Sequence, residues 1–129
     1  AKKATAFRKA SFSITRDGQE ADVSVVVLPA RKDSWVANVN RWRAQLQLDP
    51  ASDKAIDEAT TKMTIGKAPG VFIDLRGGEG KRILAAVATQ GERHWFFKMM
   101  GDAELVGAQK ENFSAFLQSI RFAPAPAGE

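Results

Sequence analysis

The chain has 129 residues, 44% of them hydrophobic and 26% charged, close to the averages of ordinary globular domains, so neither disorder nor a membrane-spanning protein is indicated. A formal net charge of +4 permits weak attraction to polyanions, but the cations are scattered among Asp and Glu, and nucleic acid is not an expected partner. The absence of cysteine excludes disulfides, thiolate metal sites and cysteine nucleophiles.

The first residues, Ala1-Lys2-Lys3, lack an initiator Met and an apolar leader, which reads as a processed or trimmed start from which an export signal is already gone. Residues Ala6 to Ile14 and Ala21 to Leu28 flank Asp17-Gly18, a pair that supplies the positive backbone torsions of a tight turn, and predict an antiparallel hairpin. Pro29 lacks the amide that a continuing strand would donate, and Asp33 or Ser34 can cap a following helix. That helix is expected from about Ser34 to Leu48. Trp35, Val39, Trp42 and Leu46 fall within one narrow stripe, Asn38 and Gln45 lie on one flank and Arg43 on the other, and Asn40 and Arg41 turn towards the opposite face. Asp49-Pro50 ends it, and a second short helix follows from Ser52 to about Thr61, capped by Ser52 or Asp53.

Three strands come next, over Val71 to Arg76, Lys81 to Thr89 and Arg93 to Met100, with a short one at Met63 to Ile65 before them. The connections Gly77-Gly78-Glu79-Gly80 and Gln90-Gly91-Glu92 are short enough to force antiparallel hairpins. The first superficially suggests a phosphate-binding loop, but Lys81 is followed by Arg82 and then by a strand, so no helix amino terminus is available to a phosphate. Asp102 is expected to cap a final helix to about Phe122, with Leu105, Val106, Gln109, Phe113, Phe116, Leu117 and Ile120 on its apolar face.

Alternation within the strands sets the layer count. Ile83, Ala85 and Val87 oppose Leu84, Ala86 and Ala88, while Trp95, Phe97 and Met99 oppose His94, Phe96, Lys98 and Met100, so both faces require cover. The expected architecture is an α/β (α+β) domain: an α/β/α sandwich around a mainly antiparallel sheet of about five strands. One globular domain spans 1–122, and the Ala/Pro-rich residues 123–129 form a tail or linker.

Chemistry-bearing residues are sparse. His94 is the only histidine, which excludes a paired-histidine metal site; no metal and no cofactor is expected. A hydrolytic or anion-binding reading would bring His94, Lys98 and Asp74 together. Asp74 is also the candidate partner that an internal lysine at position 98 requires. Trp42 is expected to pack its helix onto the sheet. The competing reading is a recognition patch of Asn38, Arg41, Trp42 and Arg43, with a second candidate site beside Trp95 and Lys98.

The segments Asn38 to Leu46 and Trp95 to Asp102, followed by Phe113-x-x-Phe116-Leu117-x-Ser119-Ile120, resemble a family of small uncharacterised bacterial proteins that are exported or lipid-anchored; the likeness runs from Phe12 to Phe122. In the order of its strands and helices the chain also resembles the PsbP-like group, which includes photosystem II extrinsic subunits and a Ran-binding nuclear-transport factor. The resemblance implies the sandwich, a periplasmic or envelope location, a protein partner there, and membrane association only through a lipid anchor outside this chain. It supplies no catalytic residues. The expected function is therefore a non-enzymatic accessory or protein-binding domain of an exported protein; a small enzyme, or a binder of polyanions or membrane surfaces, are the alternatives.

Overall fold

Three tight turns dictate most of the sheet. Asp17-Gly18 and Gly66-Lys67 both hold φ positive at their two residues, +53° and +78° in the first and +56° and +74° in the second, and Gly91 sits at +60°. Such turns carry the right-handed twist of paired strands, so each closes an antiparallel hairpin. The computed structural model describes residues 7–29, 34–78 and 80–120. The strands are β1 (Phe7–Arg16), β2 (Gln19–Pro29), β3 (Thr61–Ile65), β4 (Ala68–Arg76), β5 (Lys81–Gln90) and β6 (Arg93–Asp102). The helices are α1 (Ser34–Gln45), α2 (Asp53–Ala59), α3 (Ala103–Ala108) and α4 (Lys110–Ser119).

The six strands form one open antiparallel sheet in the order β1-β2-β6-β5-β4-β3. The short strand before Val71 thus becomes a full sixth member, starting at Thr61. Pro69 is tolerated because it pairs only with Thr64 of β3, the β5 ladder beginning one residue later at Gly70. Gly101 fills a close approach, since a Cβ there would land on the backbone of Glu20 and Ala21 in β2.

Each sheet face carries its own core. On the front, Val39 and Trp42 of α1, Leu46 just beyond its end and Ile56 of α2 pack on Ile73, Leu75, Ile83, Ala85, Val87 and Phe96. On the back, Leu105 and Val106 of α3 and Phe113 and Leu117 of α4 pack on Ala21, Val23, Val25, Leu84, Ala86, Ala88, Phe97 and Met99. The α/β/α sandwich read from the alternation in β5 is therefore the fold. The predicted stripe on α1 is the buried one, and the tip of Trp35 donates from Nε1 to Thr60 Oγ1 at 3.0 Å, tying α1 to the end of α2.

Several boundaries differ from expectation, each for a local reason. Helix α1 stops at Gln45, before the Asp-Pro pair, because Gln47 turns left-handed (φ +63°). Leu48 N then donates to Arg43 O at 2.8 Å and Gln47 N to Ala44 O at 3.0 Å, the paired bonds of a Schellman ending. A glutamine there carries a Cβ penalty that glycine lacks. Gln47→Gly is expected to stabilise the domain by about 0.5–1 kcal/mol, seen as a raised midpoint in urea at unchanged slope.

Ser52 is the cap of α2, its Oγ accepting from Ala55 N at 3.1 Å. Asp102 does not cap α3 through its side chain. It accepts instead from Glu20 N at 2.9 Å and from Lys81 Nζ at 3.0 Å, joining the start of β2 to β5. The single final helix is in fact two, divided at Gln109. Phe113 and Leu117 then form the buried line of α4 and leave Phe116 at the surface, its ring edge on Phe97 at 6.2 Å between centroids. The predicted cap at Asp33, the start of the chain and the tail 123–129 lie outside the described residues.

Candidate functional site

The front face changes character along two rows that cross the sheet. One runs Ser11, Ser24, Lys98, Ala85, Ile73, and the next Ser13, Asp22, Met100, Ile83, Leu75. Their apolar ends lie in the core beneath α1 and α2. At their polar ends Ser11, Ser13 and Asp22 are exposed and Ser24 is half-buried. The result is an open shelf on β1 and β2. The alternation of β2 produces it: Ala21, Val23 and Val25 enter the back core, which leaves Asp22 and Ser24 facing front.

Lys98 stands at the seam between the shelf and the front core. Its Nζ donates to Gln45 Oε1 at 3.3 Å. That contact identifies which flank of α1 overlooks the shelf, because Asn38, Arg41 and Gln45, at helical spacings of three and four, share one side of the helix. Asn38 is buried there and Arg41 is exposed. On the shelf floor Ser13 Oγ donates to Asp22 Oδ1 at 2.8 Å.

The other sequence candidates lie elsewhere. Trp42 is only 5% exposed in the front core, edge-on to Trp35 and Phe96 at 5.8 and 6.4 Å. Arg43 turns to the far flank, where its Nε donates to Asp49 O at 2.7 Å. Beside it Asn40 bonds Ala51 twice, from Nδ2 to the carbonyl at 3.2 Å and through Oδ1 from the amide at 2.8 Å, fixing the loop into α2. Trp95 packs half-buried against the back core, on the opposite side of β6 from Lys98. The six candidates thus separate: Asn38 and Arg41 lie on the flank of α1 that carries Gln45, the partner of Lys98, while Trp42, Arg43 and Trp95 lie elsewhere.

His94, Lys98 and Asp74 are likewise not brought together. His94 and Lys98 share the front of β6, but Asp74 pairs with Leu84, a residue of the back core. On the back it accepts from Arg82, Nε to Oδ1 at 2.8 Å and Nη2 to Oδ2 at 2.6 Å, and from Lys110 Nζ at 2.9 Å. Asp74 is therefore not the partner of Lys98; the strand period of two separates them by a sheet thickness. Burial pushes the Asp74 carboxyl up, but hydrogen bonds and charges from Arg82 and Lys110 prevail and hold it below the usual carboxylate range. Burial pushes the His94 imidazole, edge-on to Phe96 at 5.9 Å, below its ordinary value, so it is neutral near pH 7.

Among the described residues no three His, Asp or Glu side chains gather as a metal site, and no helix is long and apolar enough to cross a membrane. What the shelf offers is hydroxyls and the Asp22 carboxylate on its floor, with carboxamides and the cations Lys98 and Arg41 on the side of α1. This suits hydrogen bonding to a polar surface or an extended chain. The sequence contains the serines, but their assembly follows from polar and apolar alternation over Glu20 to Val25 together with the hairpin register.

Fold and shelf together define an antiparallel α/β/α domain in which, among the described residues, no helix covers the β1–β2 part of the front face. No protein-family model and no curated protein matches the chain. Among solved structures, the chain is similar to PA94, a protein of unknown function from Pseudomonas aeruginosa, with a TM-score of 0.59 at 12% identity, covering 97% of this chain and 88% of that one. At that identity the likeness is one of fold.

Proposed function

We propose that this domain is a non-enzymatic accessory or protein-binding module of an exported bacterial protein, acting at the cell envelope, and that its partner occupies the shelf between α1 and the β1–β2 hairpin. The observation that carries the reading is the division of the front face, apolar and filled beneath α1, polar and open on Ser11, Ser13, Asp22 and Ser24, with Lys98 on the dividing line and bonded to Gln45 of α1. Open surfaces bearing arginine and flexible polar side chains are suited to protein contacts. The sequence resemblance supports the exported and envelope parts. The catalytic alternative requires three groups that β4 and β6 direct to opposite faces.

The test is capture of the native partner from envelope extracts. Arg41→Glu and Ser13→Arg alter exposed positions, so stability is expected to stay within about 0.5 kcal/mol of the parent while capture falls about tenfold or more. Equal capture by the parent and both variants overturns the assignment of the shelf. Recovery of the full reading frame in the cytoplasmic fraction overturns the export.

A further inference from the structure

The two edges of the sheet differ. At one end β3 spans only Thr61–Ile65, carries exposed Lys62 and turns into β4 through exposed Lys67; shortness and cations are devices that keep an edge from pairing. At the other end β1 spans Phe7–Arg16. Its register to β2 shifts between Arg8 and Ala10 and then runs unbroken to Arg16, where the Asp17-Gly18 turn begins. Between Ala10 and Arg16 the only charged residue is Arg16 itself. The two-residue turn makes Arg16 and Gln19 a hydrogen-bonded pair, so bonding to β2 falls at every second residue from Arg16, and Ser13 and Thr15 direct amide and carbonyl outward. Among the described residues no strand pairs with that side of β1.

Symmetry selects the occupant. The bulge bounds the regular run at one end and the turn bounds it at the other, so its midpoint is Ser13. An antiparallel second copy centred there overlaps the whole run: Ser13 meets Ser13, Thr15 meets Ser11, Ile14 falls opposite Phe12 and Arg16 opposite Ala10. Hydroxyl pairs of this kind are favourable across strands, and no charge of the run faces a like one. The rows behind agree. On the front, Lys98 stands in the row of Ser11 and Ser24, whereas the exposed acids Asp22 and Glu20 pair with Ser13 and Thr15. Antiparallel apposition runs the Lys98 row of each chain into the Glu20 row of the other. It also holds the two Asp22 carboxylates three strand spacings apart, roughly 14 Å, beyond the screening length of about 8 Å. On the back, half-buried Ile14 at the margin of the core gains cover. We infer that the chain forms a two-fold dimer through β1, centred on Ser13, which joins the two six-stranded sheets into one. The dyad stands perpendicular to the sheet, so both front faces look the same way. Each shelf, which in one chain stops at β1, then continues onto β1 and β2 of the second copy, and the joined floor lies between two α1 helices. The dimer goes beyond the protein-binding reading and does not depend on it.

Sedimentation of the full chain from micromolar to millimolar concentration is expected to show a mass rising from 14.0 kDa towards twice that value. Hydrogen exchange at the Ser13 and Thr15 amides should slow with protein concentration by about tenfold or more, while β3 amides stay unchanged. Ser13→Pro removes an outward amide from both copies at an edge position where proline leaves the β2 ladder intact, and is expected to weaken dimerisation about tenfold or more. Ser13→Lys and Ser13→Glu each set like charges face to face at the dyad. Either variant alone should dimerise several-fold more weakly than the parent, and an equimolar mixture should recover a heterodimer of parental strength. A single-chain mass up to millimolar protein, a dimer whose protection avoids β1, parental dimerisation by Ser13→Pro, or a Lys and Glu mixture no stronger than its components each overturns the inference. A monomeric parent whose partner capture is still lost in Arg41→Glu sinks the dimer and leaves the shelf assignment standing; a β1 dimer that captures nothing does the reverse.

Discussion

Trp42→Ala is expected to destabilise the domain by about 3–5 kcal/mol, with the urea midpoint falling and the slope unchanged. The indole is almost wholly buried, it joins Trp35 and Phe96 in edge-on contacts, and it lies between Val39 and Leu46 on the stripe that binds α1 to β4, β5 and β6. Alanine removes those contacts and leaves a cavity that a regular helix over a continuous sheet cannot close. Total stabilities of about 5–15 kcal/mol make such a loss a large fraction of the whole. Trp95→Ala, at a half-buried position on the other face, is expected to cost distinctly less. The comparison separates packing from recognition at the most conspicuous part of the sequence. A Trp42→Ala domain that melts like the parent but no longer binds its partner would make the indole a contact residue.

The packing role of Trp42 was legible because a helix has a fixed period: four apolar residues spaced by three and four must share a side, whatever they later touch. The double cover was legible for a similar reason, since Ile83 to Ala88 is apolar at every position and a strand exposes alternate residues to opposite faces. The shelf was not, because it depends on which residues of β1 and β2 stand opposite one another. Only the two-residue turn at Asp17-Gly18 and the pairing of Ser24 with Lys98 place Ser11 in one row with Lys98. Asp74 illustrates the same limit. Its position in β4 offers a half-buried carboxylate to any cation on its face, and the register brings Arg82 there while turning Lys98 away. The division at Gln109 was hidden too, because Leu105, Val106, Phe113 and Leu117 fit one continuous apolar stripe as readily as two short helices.

That arginine is the basis of the second large effect. Asp74→Asn is expected to destabilise the domain by about 3–5 kcal/mol, because it leaves Arg82 in the back layer without its carboxylate. The two side chains are only 11% and 17% exposed, and the paired bonds from Nε and Nη2 fix both planes. Lys110, at 46% exposure, is screened by solvent and adds little. The aspartate's pKa is depressed in the fold, so its contribution is complete above the unfolded value of about 3.9, declines as the pH falls below it, and is gone once the pH is under the folded value. Urea unfolding between neutral pH and pH 3 should therefore show an acid slope that is shallower in Asp74→Asn. Replacing the pair together, as Asp74→Leu with Arg82→Met, should recover much of the loss, since removing both charges leaves neither stranded. A cost below about 1 kcal/mol for Asp74→Asn, with an unchanged acid slope, would mean that water reaches Arg82 beneath α3 and that the pair orders the helix without stabilising it.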